Sequence, residues 1–109
     1  MNNQARIWSK PNAAQLCKVL AALSNVRDME KFLTDILTEK EITEISARLE
    51  AARLLRAGAT YVQIVEQTGL SSRTVARISS WLRQGAQGYD LVLRSIASHH
   101  EHILPAVPR

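Results

Sequence analysis

The chain holds one cysteine, three prolines, four glycines and five aromatic residues among its 109 positions, and it has no long apolar run. With only Cys17 available, no internal disulfide can form, which fits a reducing cytoplasm. Cys17 has no base nearby in sequence to activate it, so it reads as a small apolar residue on a helix face. No apolar stretch approaches the length needed to span a bilayer, and no charged-then-apolar start resembles a signal peptide. Strand-like alternation, internal repeats and long linkers are also missing. So are a nucleophile–base pair, a phosphate-cradling glycine loop and paired carboxylates, which leaves no basis for catalysis or for a bound cofactor.

What remains is basic and helical. Net charge is +4 and the isoelectric point is near 9.7, a balance suited to a polyanionic partner. At this length one domain is expected, with room for a modest core but little for a sequestered catalytic pocket. Residues 1–11 are polar and irregular and read as a mobile arm, whose Arg6, Trp8 and Lys10 either touch such a partner or have no such role. Residues 12–98 form the helical domain, and 99–109 a flexible tail. His99, His100 and His102 belong to that tail rather than to a metal site.

Helical spacing runs through the domain. Asn12 is placed to cap a first helix with Leu16, Val19, Leu20 and Leu23 on its apolar face. Ser24-Asn25 break it, and a second helix over about 26–36 turns Met29, Phe32, Leu33 and Ile36 inward. Thr38-Glu-Lys-Glu41 is a capping box that opens the longest helix, to about Ala57, with Ile42, Ile45, Leu49, Ala52 and Leu55 at helical spacing. Glu39, Glu41 and Glu44 are balanced by Lys40, Arg48 and Arg53 as a solvated face. After Gly85-Ala-Gln-Gly88 a last helix runs to about Ala97, with Leu91, Val92 and Ile96 apolar. The class is all-α, with about six short helices.

Residues 60–84 carry the only spacing that points to a biochemical act. Thr60 and Gln63 form a Thr-x-x-Gln capping box, and Gly69 supplies a left-handed helix end. Ser71 or Ser72 caps the next helix, whose Val75, Ile78 and Leu82 recur at three and four positions. Ile64, Val65 and Leu70 supply matching apolar contacts. Two helices, a tight glycine turn and an outer face of Arg73, Thr74 and Arg77 make a helix-turn-helix of the kind that enters the DNA major groove. This segment holds Arg73, Arg77 and Arg83 against only Glu66, and cations are what phosphate contact requires. The competing reading is a helix-turn-helix used to hold a partner protein without DNA.

Short helices need their apolar faces covered. The first and last helices expose more than the helix-turn-helix can cover, so a homodimer is expected, with a compact monomer as the alternative.

The run Leu37-Thr-Glu-Lys-Glu-Ile-Thr-Glu-Ile-Ser-Ala-Arg48, the helix end Leu54-Leu-Arg-Ala-Gly58 and the helix-turn-helix together resemble the Trp repressor superfamily. The likeness spans about Asp28 to Arg94 and is closer to the Trp-repressor-like branch than to the tryptophan-regulated repressor. It implies an intertwined, cytoplasmic homodimer that represses transcription from double-stranded DNA through paired recognition helices. It also implies that Ser72, Arg73, Thr74, Ala76 and Arg77 face DNA with Ser71 as cap. Tyr61 or Thr60 would add a phosphate contact near a helix N-terminus. Thr38, Arg48 and Arg77 match positions that line the family's tryptophan pocket. Thr38 is equally explained as a helix cap, and Arg48 as an intra- or interchain ion-pair partner of Glu44 or a neighbouring acid. Ile78 and Trp81 replace small residues beside that pocket, so the protein is expected to fill it itself, with Trp81 packed inward. Tryptophan is then not the expected effector, and another small ligand stays open.

Overall fold

The computed structural model describes residues 6–99, and within them every regular element is helical. Six helices lie between residues 11 and 99: α1 Pro11–Ala22, α2 Val26–Ile36, α3 Glu39–Arg56, α4 Tyr61–Thr68, α5 Ser72–Gln84 and α6 Gly88–His99. None among the described residues is long and apolar enough to cross a membrane. Of the arm and tail expected at the ends, residues 1–5 and 100–109 lie outside the described residues, and so does most of the histidine cluster. Arg6 and Ile7 are helical and a turn follows at Trp8 and Ser9, Ser9 N–H donating to the Arg6 carbonyl and Lys10 N–H to that of Ile7.

The chain packs as two units, Met1–Ile42 and Thr43–Arg109. In the first, α1 begins one residue before the expected Asn12 cap. Pro11 takes the opening position, where a missing N–H costs nothing, and Lys10 precedes it without a side-chain cap. Asn25 does more than break the chain: its side chain accepts from the Asp28 amide at 3.1 Å and caps α2. Neither α1 nor α2 has a buried residue. Met29, Phe32 and Leu33 are half-buried, whereas Ile36, expected inward, is 49% exposed. α2 ends there, and the next turn is the Thr38 cap. The Glu41 amide donates to Thr38 Oγ1 at 3.1 Å and the Thr38 amide to Glu41 Oε1 at 2.8 Å, completing the expected capping box.

The second unit owns the core. Ala51, Ala52 and Leu54 of α3, Ile64 of α4, Val75 and Ile78 of α5 and Leu93 of α6 form one buried cluster. Leu54, Ile64, Val75 and Ile78 are wholly inaccessible, and burial of each such side chain stabilises by roughly 1.5–3 kcal/mol. One expectation is corrected here and one core residue, Leu93, is added. On α3, burial belongs to its last turns, and Ile45 stays 51% exposed. On α6, the inward stripe is Tyr89, Leu93 and Ile96 at steps of four and three, so Leu91 falls on the other side and Val92 on the flank.

Glycine sets the two sharp ends around the helix-turn-helix. Gly58 sits at φ +90 and Gly69 at φ +75, a region that L side chains resist. At the end of α3 the Ala59 amide donates to the Leu54 carbonyl and the Gly58 amide to that of Leu55, a Schellman closure.

Candidate nucleic-acid interface

Local hydrogen bonds hold the helix-turn-helix in the expected form. The Gln63 amide donates to Thr60 Oγ1 at 3.2 Å and the Thr60 amide to Gln63 Oε1 at 2.9 Å. The turn is tied by Leu70 N–H donating to Thr68 Oγ1 at 3.2 Å. Ser71, not Ser72, caps α5: its Oγ accepts from the Thr74 amide and donates to Thr74 Oγ1, each at 3.1 Å. Inside, Val75 and Ile78 are fully buried and Leu82 is half-buried. This fixes which way α5 faces.

Outward, Ser72, Arg73, Ala76 and Arg77 are all exposed. Among the described residues neither arginine is paired with an acid, since the ion pairs there are Arg53–Glu50, Arg56–Asp90 and Arg94–Asp90. Thr74 is half-buried and engaged with the Ser71 cap rather than standing out beside Arg73. Thr60 and Tyr61 are exposed at the start of α4. The Thr60 oxygen serves as a cap yet retains a hydroxyl proton to donate.

Three residues match the family's effector pocket. Thr38 lies in the first unit, where its side chain is spent on the capping box. Arg48 and Arg77 are exposed members of the second. Arg48 does not pair with Glu44; its charge instead acts on the Tyr89 phenol. Burial pushes that phenol above its ordinary pKa, and Arg48 partly opposes the shift. Ile78 is core, as expected. Trp81 is not packed inward: it is 37% exposed, because it lies about 60° round α5 from Ile78, on the shoulder of the buried stripe.

One charged residue was misread as solvated. Arg53 is only 8% exposed, and it grips Glu50 with two hydrogen bonds, Nε to Oε1 at 2.8 Å and Nη2 to Oε2 at 2.7 Å. Those bonds to Glu50 raise its already high pKa against the opposing effect of burial. The sequence signal was present, since Glu50 and Arg53 stand three apart on one helix face, bracketing the buried Ala51 and Ala52.

A family model described as Trp repressor protein matches residues 12–97. The uncharacterized protein YerC of Bacillus subtilis (strain 168) is 35% identical over 79 residues, covering 72% of this chain and 76% of its own. A TrpR-like protein from Eubacterium eligens has a crystal structure similar at TM-score 0.79 and 32% identity. A Staphylococcus aureus protein provisionally described as a Trp repressor is similar at TM-score 0.81 and 26% identity. Each of these two matches covers 88% of this chain and 96% of the other.

Proposed function

This chain belongs to the Trp repressor family, and from that premise we propose that it is a sequence-specific transcriptional repressor acting as a cytoplasmic homodimer on double-stranded DNA. The family is one of DNA-binding regulators rather than enzymes. The observation that carries the reading is the division of α5: Val75 and Ile78 wholly buried on one side, Ser72, Arg73, Ala76 and Arg77 exposed on the other. A helix so held presents short polar and guanidinium groups to base edges and phosphates, as major-groove reading requires. Ser71 fixes the start of that helix. Thr60 and Tyr61 stand at the start of α4, where a phosphate contact is favourable.

Dimerisation follows from the apolar surface left uncovered. Leu16 and Val19 on α1 and Leu91 and Val92 on α6 are 38–61% exposed, and a second copy is the partner that would cover them. Two recognition helices would then meet successive major grooves. No effector is required in this reading. Ile78 occupies core space beside Arg77, so tryptophan is not expected to assemble a pocket from Thr38, Arg48 and Arg77. A different small ligand near the exposed Trp81 is the variant of this reading that a binding screen would reveal.

The test is Arg77→Ala. Affinity for a selected operator should fall by about tenfold or more, since a good arginine contact is worth about 1–3 kcal/mol, while dimer formation and melting temperature stay as in the wild type. Unchanged affinity would overturn the recognition-helix assignment. A protein-interaction module is the second reading, favoured by the exposed apolar Tyr61 and Val62 on α4. It requires a partner protein whose capture Arg77→Ala does not disturb, and no salt-sensitive binding to DNA.

A further inference from the structure

Arg83 is exposed in the last turn of α5, and its Nη1 donates to Ser79 Oγ at 2.7 Å. Taking about 100° and 1.5 Å per residue, it stands about 80° round the helix from Arg73 and about 15 Å farther along. Arg73 lies near the centre of the outward arc, opposite Val75 and Ile78. Arg83 lies on one flank of that arc, in line with Ser72, Ala76 and Ser79, and about 120° from Arg77.

A helix lying in a groove about 12 Å wide turns its central line to the base edges and its flanks to the phosphate walls. A side chain about 15 Å beyond Arg73 has also left the bases that Arg73 can reach. We propose that Arg83 contacts a backbone phosphate where the recognition helix leaves the major groove, and that Ser79 is the positioning residue that holds its guanidinium for that contact. The inference rests on the DNA-binding reading and adds residues which that reading does not use.

A cation in the last turn also suits the helix dipole, and this is the structural alternative. The bond to Ser79 argues against it as the whole account. It draws the guanidinium back along the helix toward its N-terminus, away from the terminal carbonyls, and leaves further N–H donors in a fixed fork free for a phosphate.

The experiment measures binding of the full chain to sonicated mixed-sequence duplex DNA across a salt series, with melting temperature measured in parallel. Wild-type affinity should fall steeply with salt. Arg83→Ala should weaken binding several-fold and flatten the logarithmic salt slope by about 1.8 per bound dimer, the release expected for one phosphate per protomer. Arg83→Lys should keep the slope, and Ser79→Ala should keep the slope while weakening binding to a lesser degree. Wild-type slope and affinity in Arg83→Ala, with or without a lower melting temperature, would reduce Arg83 to a helix-end cation and overturn the inference. Wild-type affinity in Ser79→Ala would overturn the positioning role. Wild-type protein with no salt-sensitive binding would bring down the DNA-binding reading itself, and this inference with it, before any variant is compared.

Discussion

Arg56, the last residue of α3, is ion-paired with Asp90 in the first turn of α6, across 34 residues of chain that contain the whole helix-turn-helix. Asp90 also takes Arg94 Nε at 3.0 Å, so one carboxylate serves two guanidinium groups. The pair closes the second unit from outside, while Leu54, Ile64, Ile78 and Leu93 close it from within.

Both members of that pair are more than a third exposed, so solvent screens it strongly. Asp90→Asn should therefore lower unfolding free energy by less than about 1 kcal/mol. The loss should shrink further in concentrated salt. Denaturant titration at two salt concentrations checks both statements.

Gly69 is more demanding. Its φ of +75 ends α4 and sets the angle at which α5 leaves the turn. A methyl group there would meet nothing within 4 Å, so the cost of Gly69→Ala is conformational and should be about 1 kcal/mol. Thermal unfolding should show that loss. DNA affinity should fall with it if the turn shifts α5.

The capping box at Thr38 predicts an acid-side dependence. Hydrogen bonding from the Thr38 amide, and then from its side chain, holds the Glu41 carboxyl below its ordinary pKa. A group whose folded pKa is depressed stabilises the fold above its unfolded pKa and loses that contribution as pH falls through the folded value. Wild-type stability should accordingly drop on acidification below the ordinary carboxylate range. In Glu41→Gln the drop should be shallower, as followed by helical circular dichroism across pH.

The proposed dimer predicts a concentration dependence. If Leu91 packs against a second copy, apparent melting temperature should rise with protein concentration. Leu91→Glu should shift sedimentation toward the monomer and weaken DNA binding by breaking the two-site contact. A concentration-independent melting temperature and unchanged sedimentation in Leu91→Glu would contradict this.

Local chemistry was legible in the sequence because it acts over three or four residues. Thr38 with Glu41, Thr60 with Gln63 and Gly69 stand where their spacing placed them, and of the two serines that the spacing offered as cap the structure uses Ser71. The order of the six helices and the buried pair Val75 and Ile78 followed from the same short-range periodicity. What the spacing did not supply was the inward residue where apolar residues occur all round a helix. On α6, Leu91 and Val92 are as apolar as Leu93, and only the packed partners decide that Leu93 goes inward. Trp81 failed for a related reason, since its size suggested core while its angle put it at the rim. Arg53 failed because its charge suggested water, whereas Glu50 on the same face satisfies it in the interior. The exposed face of α5 was readable as soon as its buried stripe was identified. The fixed orientation of Arg83 was not, because it depends on a particular rotamer bonded to Ser79.

The most direct test of the account is selection of bound sequences from a random duplex DNA pool at near-physiological salt, with and without tryptophan. The account predicts enrichment of a two-fold-symmetric site, equally in both conditions, because two α5 helices read it and Ile78 already occupies core space beside Arg77. Enrichment only with tryptophan would contradict the effector-free reading. Failure to enrich any site would contradict the central claim that α5 is a DNA recognition helix.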